Sequence, residues 1–443
     1  MDLKNKKVLM MGLGILGGGA ATAKWLIKQG TILTVTDIKE REKLLFSLER
    51  LEKFEDKIEY KLGGHKEEDF LNSDIIVVNP DVSINNKFVK LAKEAGKQIE
   101  NELTLFYKFC PSKNIIAVTG TRGKTTTTNW VHHFLKAQYP NAVLAGNSST
   151  NPFLGMIDKC KADTSVAVEV PSYHLELLKD ENQKFKPKVA VITNVFQDHL
   201  NRHGSLENYA KIKANIFKHQ TKEDFLILNK NNKWTDYFIS LKPKSKILYF
   251  SEERDSGFAE KWGEHNVLNL TAATLAVQAM GVGNKTIEIA TETLPQIKFR
   301  QEKIYEKNGL EIVNDSAATS PEATIIAVER FRNNDNLILI TGGTDRELDF
   351  KEWGKMISKN IKPENLILLS GSATEKMKIA LKSGHYNECD TLEECLRLAI
   401  KKSEEVKGKS IILFSPSSKS FEKFKNEYDR GEQFNNLVKK LLK

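Results

Sequence analysis

Ile115-Ile116-Ala117-Val118-Thr119-Gly120-Thr121-Arg122-Gly123-Lys124-Thr125 is the stretch on which the reading of the chain turns. A short apolar strand runs directly into a glycine-bounded loop, and Thr126, Thr127 and Thr128 then open a helix. Such a loop offers backbone N–H groups at a helix N-terminus, where phosphate is held by amide dipoles and partial positive charge. Lys124 is spaced to reach β- and γ-phosphates, and the Thr125 hydroxyl to ligate Mg²⁺. The strict pattern wants Gly where Val118 stands, so the strand-loop-helix context carries the reading. ATP is therefore expected at Gly120, Thr121, Gly123, Lys124, Thr125 and Thr126.

Outward from this loop, β-branched and aliphatic runs alternate with helical patterns along the whole chain, which predicts α/β layers with largely parallel sheets. Strands are expected near residues 7–11, 32–36, 75–78, 115–119, 166–170, 189–193, 225–228, 310–313, 337–341, 366–369 and 411–414. Breaks at Cys110-Pro111-Ser112-Lys113 and at Leu294-Pro295-Gln296 divide the 443 residues into three expected domains: 1–110, 111–297 and 298–443. That number agrees with roughly 150 residues per domain.

Towards the N-terminus, the first strand enters Gly12-Leu13-Gly14-Ile15-Leu16-Gly17, and a second strand ends at Asp37. This is dinucleotide-fingerprint spacing, in which glycines admit a diphosphate and the acid accepts from a ribose or base. Taken alone it is open between NAD, another diphosphate ligand and a simple tight turn. Lys4, Lys6 and Lys7 ahead of an uncharged stretch superficially resemble a secretory leader, but five glycines would weaken such a helix.

Towards the C-terminus, Glu169 and then Asp198 and His199 follow later strands, where a doubly wound sheet presents ligand-contacting groups. Each alone is compatible with a structural role; together they suggest a second cation site. In the helix from Leu206 to Phe217, at about 100° per residue, Leu206, Tyr209, Ala210, Ile216 and Phe217 fall within roughly 60° of Lys213, with Lys211 opposite. Lys213 is expected in the apolar face, where burial favours a neutral amine able to form a carbamate with CO₂; a lysine snorkelling from the edge of the stripe is the alternative. Three further turns, Asn314-Asp315-Ser316, Gly342 to Arg346 and Ser415 to Phe421, each follow an apolar strand and could share one anion or amino-acid crevice.

Composition sets limits. Lys and Arg number 67 against 58 acids, a formal charge of +9 that favours anionic ligands, but the lysines are scattered and no nucleic-acid stripe forms. Cys110, Cys160, Cys389 and Cys395 show neither a disulfide framework nor metal spacing, as suits a reducing cytoplasm. No segment approaches the ~20 apolar residues of a membrane span.

The motifs together resemble the Mur ligases. The likeness runs through Gly-Leu-Gly-x-x-Gly, Thr-Gly-Thr-x-Gly-Lys-Thr-Thr-Thr, Ala-Gly-Asn147 and Asp198-His199-Leu200-x-Arg202-His203-Gly204. It continues through His265-Asn266-x-x-Asn269, Asn314-Asp315-Ser316-x-Ala318-Thr319, and Ser415-Pro416 to Arg430-Gly431. The resemblance implies ATP-dependent addition of D-glutamate to UDP-N-acetylmuramoyl-L-alanine through an acyl phosphate, in peptidoglycan precursor synthesis. It also implies a Rossmann-like UDP-binding domain, a central phosphate-loop domain and a Rossmann-like amino-acid domain. Gly14, Ile15, Leu16, Asp37 and Asn147 would then meet the UDP substrate rather than NAD, and Asn266, Asn269, Arg300 and Asp315 would contact ATP. Thr125 and Glu169 would hold one Mg²⁺, and His199 with carbamylated Lys213 a second. Lys124, Glu169, His199 and Lys213 make up the implied catalytic set, and Thr319, Arg346, Ser420 and Phe421 would line the glutamate. A cytoplasmic monomer without nucleic-acid or membrane partners is expected.

Departures fall in the substrate pockets. The usual Glu-Leu-Ser-Ser-x-Gln-Leu reads Glu169-Val170-Pro171-Ser172-Tyr173-His174-Leu175. Arg122 replaces Asn, Ala317 a Lys, Phe299 a His, Asn201 an Asp and Arg346 a Lys, and Asp81 interrupts a Ser-Pro-Gly turn. A ligase for another acceptor or amino acid, such as a polyglutamate-forming enzyme, stays open, as does a catalytically silent nucleotide-binding protein. The intact first-domain fingerprint speaks against the former and the retained Lys124, Glu169, His199 and Lys213 against the latter.

Overall fold

Buried apolar runs build three sheets in a computed structural model, which describes residues 1–443 except 16, 149, 180–182, 252–255, 335, 346, 382–385 and 443. The first sheet has the order β3-β2-β1-β4-β5, from Lys7–Met11 (β1), Ile32–Asp37 (β2), Ile58–Leu62 (β3), Ile75–Val78 (β4) and Gln98–Glu100 (β5). The second is β11-β10-β9-β6-β8-β7, from Ile115–Thr119 (β6), Val143–Gly146 (β7), Val166–Glu169 (β8), Val189–Ile192 (β9), Phe225–Asn229 (β10) and Lys246–Phe250 (β11). The third is β12-β13-β17-β14-β15-β16, from Glu302–Lys307 (β12), Leu310–Asn314 (β13), Asn336–Gly342 (β14), Leu366–Leu369 (β15), Asn387–Cys389 (β16) and Ser410–Phe414 (β17). All pairings are parallel except β12 with β13, the hairpin that opens the third sheet.

The eleven strands expected from sequence are the eleven interior strands of these sheets. The six edge strands, β3, β5, β7, β11, β12 and β16, are additions. An interior parallel strand is covered on both faces and so is apolar throughout. An edge strand such as Glu302-Lys303-Ile304-Tyr305-Glu306-Lys307 is partly solvated and carries charge that also discourages edge-to-edge pairing.

The chain forms two compact units. One holds residues 1–255 and 266–295 with the first two sheets; the other holds 256–265 and 296–443 with the third. In the first unit one continuous core joins both sheets, with Phe106 against Phe153 and Tyr107 against Phe185. In the second, the two faces of the sheet bury separate clusters, around Trp353 on one side and Phe434 on the other.

Candidate active site

The phosphate loop lies where β6 gives way to the helix Lys124–Gln138, with Gly123 in the left-handed region at φ 81° as its N-cap. A Cβ at Gly123 would come within 2.2 Å of Asn269 Oδ1, so the position requires glycine both for conformation and for space. Asn269 lies on the helix Glu264–Gln278; its Nδ2 donates to Asn266 Oδ1 at 2.8 Å, which brings both expected ATP contacts to the loop. The loop after β9 fastens the other side. Thr121 N donates to Asn194 O at 3.0 Å, Arg122 N to Asn194 Oδ1 at 2.9 Å, and Thr193 Oγ1 to Arg122 O at 2.6 Å. The sequence reading missed Thr193 and Asn194, since nothing local marks a residue that binds a loop some 70 positions away.

Lys124 Nζ donates to the carbonyls of Gly120 (3.1 Å) and Thr121 (2.9 Å), the folded-back position from which it could swing to a phosphate. Glu169 ends β8 in register with Val118 of β6 and Gly146 of β7, so Glu169, the phosphate loop and exposed Asn147 share one sheet edge. The Glu169 carboxylate and the Thr125 hydroxyl are half-buried, and neither has a hydrogen-bond or ion-pair partner among the described residues. Two uncommitted oxygen donors beside a phosphate loop fit the hard-oxygen preference of magnesium.

Lys213 is fully buried, on the helix Leu206–Ala214, while Lys211 is exposed. Its Nζ donates to Gly120 O at 2.8 Å and lies 4.2 Å from the centre of the Tyr209 ring. Burial, reinforced by the nearby Lys124 cation, pushes the amine well below its ordinary value, with Asp198 opposing. Helical phase therefore located this lysine correctly, and burial favours the neutral form of the amine over the cation. His199 caps the short helix Leu200–His203 at φ 52°, a strained conformation of the kind stored at functional sites. The Tyr173 hydroxyl lies 2.8 Å from its Nε2, and Asp198 3.5 Å from the same atom. In the stretch from Glu169 to Leu175, Ser172 Oγ, which matches the family pattern, meets His203 Nε2 at 3.0 Å, and His174, a departure from it, is fully buried 3.7 Å from Glu102. Burial and the Arg202 cation lower His203 to about 4.

In the first sheet, buried Asp37 uses one carboxylate oxygen to accept from Leu13 N (2.8 Å) and Gly14 N (3.2 Å), and the other to accept from Lys39 N (2.9 Å). It thus shapes the glycine loop as well as lining it. Asn79, which the sequence reading missed, flanks the loop on its other side: a Cβ at Gly12 would meet Asn79 Cβ at 2.8 Å. Ile15 is half-buried beside the loop, and Leu16 lies outside the described residues.

In the second unit, β13, β17 and β14 are neighbours, so the three turns flagged in the sequence emerge side by side. Arg430, completely buried, ties two of them together: its guanidinium donates to Ser316 Oγ and O and to the carbonyls of Ser418 and Lys419. Ser420 Oγ is buried without a hydrogen-bond partner among the described residues, Thr319 is half-buried and Phe421 is exposed. Arg346 lies outside the described residues. Asp315 accepts from Ser415 Oγ at 2.8 Å and Gln301 N at 3.1 Å, and burial raises it to about 7 despite those bonds. Arg300 is exposed.

Residues 118–262 match the family model described as the Mur ligase middle domain, and residues 6–101 the one described as the Mur ligase MurD-like N-terminal domain. The chain is 36% identical over 465 residues to the UDP-N-acetylmuramoylalanine–D-glutamate ligase of Borreliella burgdorferi. It is 34% identical over 472 residues to the enzyme of the same name from Roseiflexus, and each alignment covers 99% of both chains. Among solved structures, the UDP-N-acetylmuramate–alanine ligase of Thermotoga maritima superposes with a TM-score of 0.62 at 19% identity, covering 98% of this chain and 100% of that one. That likeness is one of fold.

Proposed function

We propose a function from one premise: the chain belongs to the Mur ligase family. It is an ATP-dependent ligase that joins D-glutamate to UDP-N-acetylmuramoyl-L-alanine, releasing ADP and phosphate, and so acts in peptidoglycan precursor synthesis. The observation that carries this reading is similarity along 99% of the chain to enzymes bearing that name. The phosphate loop, with Lys124 poised on it and Glu169 uncommitted beside it, supports the ATP chemistry.

In this reading residues 1–110 hold the UDP end of the acceptor, 111–297 hold ATP, and 298–443 hold the amino acid. The acceptor carboxylate attacks the γ-phosphorus, forming an acyl phosphate as ADP leaves. The glutamate amine then attacks the acyl carbon, and phosphate leaves from the tetrahedral intermediate. Lys124 moves from its carbonyl partners to the β- and γ-phosphates, where its charge offsets that building on the transferring group. Thr125 and Glu169 hold one magnesium ion and His199 with carbamylated Lys213 a second; bound magnesium supplies positive charge at the phosphoryl oxygens. Asn266, Asn269, Arg300 and Asp315 bind ATP, and Thr319, Arg346, Ser420 and Phe421 the incoming amino acid. Gly14, Ile15, Leu16, Asp37 and Asn147 bind the nucleotide-sugar. The enzyme works as a cytoplasmic monomer.

Phosphate release measured with the UDP-muramoyl acceptor and a panel of amino acids tests the assignment. D-glutamate is expected to be preferred, with Lys124→Ala inactive yet folded. Equal turnover with alanine or lysine, or turnover without a uridine-nucleotide acceptor, would favour a ligase of different specificity.

A further inference from the structure

Arg202 lies one turn after His199, in the helix Leu200–His203 of the second sheet's domain, and its guanidinium is committed to two places at once. Nε and Nη2 donate to the two Glu176 carboxylate oxygens, both at 2.8 Å, a bidentate pair in which the Glu176 side chain is 5% and Arg202 14% exposed. Nη1 donates to Pro80 O at 2.6 Å and Nη2 to Val82 O at 3.1 Å. The same guanidinium covers the Tyr173 ring at 4.6 Å.

Pro80 and Val82 belong to the turn that follows β4 of the first sheet. Asn79 opens this turn: its N donates to Met11 O at 2.9 Å, its Oδ1 accepts from Asp81 N at 3.0 Å, and its O from Val82 N at 2.9 Å. Its side chain presses on Gly12 and on Gly14, where an added Cβ would lie 3.3 Å from Asn79 Nδ2. A continuous chain of contacts thus runs from the glycine loop through residues 79–82 to Arg202, and through Tyr173 to His199. The pair with Glu176 satisfies the charge of Arg202. Its two remaining bonds read backbone carbonyls, which a planar fork does well and a lysine ammonium poorly.

We propose that Arg202 is a positioning residue for the acceptor: by gripping the 79–82 turn it fixes the glycine loop, and with it the nucleotide end of the substrate, relative to the phosphate loop. The inference rests on reading the first domain as the uridine-diphosphate site. A carboxylate must meet the γ-phosphorus in line, and small misplacements at a distance are costly in rate and affinity.

The test compares wild type with Arg202→Lys, Arg202→Gln and the double variant Arg202→Gln/Glu176→Gln, which leaves no buried unpaired charge. Calorimetry on the ATP-free protein measures UDP-N-acetylmuramoyl-L-alanine affinity, and separate titrations measure ATP. Both Gln variants are expected to bind the acceptor at least tenfold more weakly with ATP affinity within twofold of wild type, and KM for the acceptor to rise more than kcat falls. Arg202→Lys should fall between. Unchanged acceptor affinity in the double variant, or equal losses for acceptor and ATP, overturns the proposal. A wild-type protein that binds no uridine nucleotide overturns the functional reading instead.

Discussion

Replacing Lys213 by Met removes the amine while nearly conserving the stem, and the structure sets stability and activity in opposition for this variant. Burial pushes the Lys213 amine well below its ordinary value of 10.5, so over the pH window between the folded and unfolded values the unfolded chain keeps a proton that the folded chain must release, a cost of about 1.4 kcal/mol for each unit of that separation. Against this, the variant loses one hydrogen bond, typically about 1 kcal/mol. The Gly120 carbonyl is not left bare, since Lys124 Nζ also donates to it at 3.1 Å. Lys213→Met is therefore expected to be at least as stable as wild type in CO₂-depleted buffer. Its advantage should be largest at low pH and shrink by about 1.4 kcal/mol per pH unit as pH rises towards 10.5, since the depressed amine makes wild-type stability climb with pH over that window. Turnover should nonetheless fall at least about a hundredfold, the usual loss when one charge-stabilising group at a phosphoryl or acyl centre is removed.

Denaturant titrations at pH 7 and 9, with steady-state phosphate release alongside, read both quantities. ¹³C-bicarbonate should give a carbamate resonance in wild type that is absent from Lys213→Met and from Lys213→Arg, whose guanidinium stays cationic. Lys211→Ala, on the exposed face, should leave both readouts unchanged. A Lys213→Met protein that is active but more than about 2 kcal/mol less stable, or whose stability varies with pH in parallel with wild type, would show that Lys213 is a structural cation and would refute the argument.

Asp37→Ala should weaken uridine-nucleotide binding by about 1–3 kcal/mol in calorimetry, since the Leu13 and Gly14 amides lose their acceptor and the loop loses its shape; tight NADH binding by wild type would instead revive a dehydrogenase reading. Asp315 has a folded value of about 7 against 3.8 unfolded, so its contribution to stability is fully present below pH 3.8 and is lost as pH rises through 7. Asp315→Asn should therefore lose less stability than wild type between pH 5 and 8 in denaturant titrations, and parallel curves would contradict the buried, raised carboxylate.

What could be read in the sequence divides along physical lines. Interior parallel strands are legible because burial on both faces leaves only apolar residues, and the phosphate loop is legible because its chemistry is contiguous: strand, glycines, Lys124 and Thr125 sit within a dozen positions. An edge strand such as Glu302–Lys307 escapes because half its environment is water, so it looks like any solvated stretch. Lys213 was found without any motif, since helical phase reports burial directly, and an amine at the centre of an apolar face needs an explanation that a surface lysine does not.

The residues that assemble the site from distant segments were the hardest to see. Asn194, Arg202 and Arg430 each bind backbone groups of another loop, Asn79 packs against one, and a carbonyl has the same chemistry whichever residue carries it. Local sequence therefore records only one partner of each contact. Arg202 was visible as part of a motif but mute about its role, whereas in the folded chain its two spare donors face the turn that borders the glycine loop. The same logic separates the two functions of Asp37. Strand-end spacing marks it as a ligand acid, but both its oxygens already accept backbone N–H groups, so it must shape the loop before it can recognise anything. Of these residues Arg202 is the one that joins the turn beside the glycine loop to the second sheet, and in the proposed reading substitutions there should alter acceptor affinity separately from the chemical step.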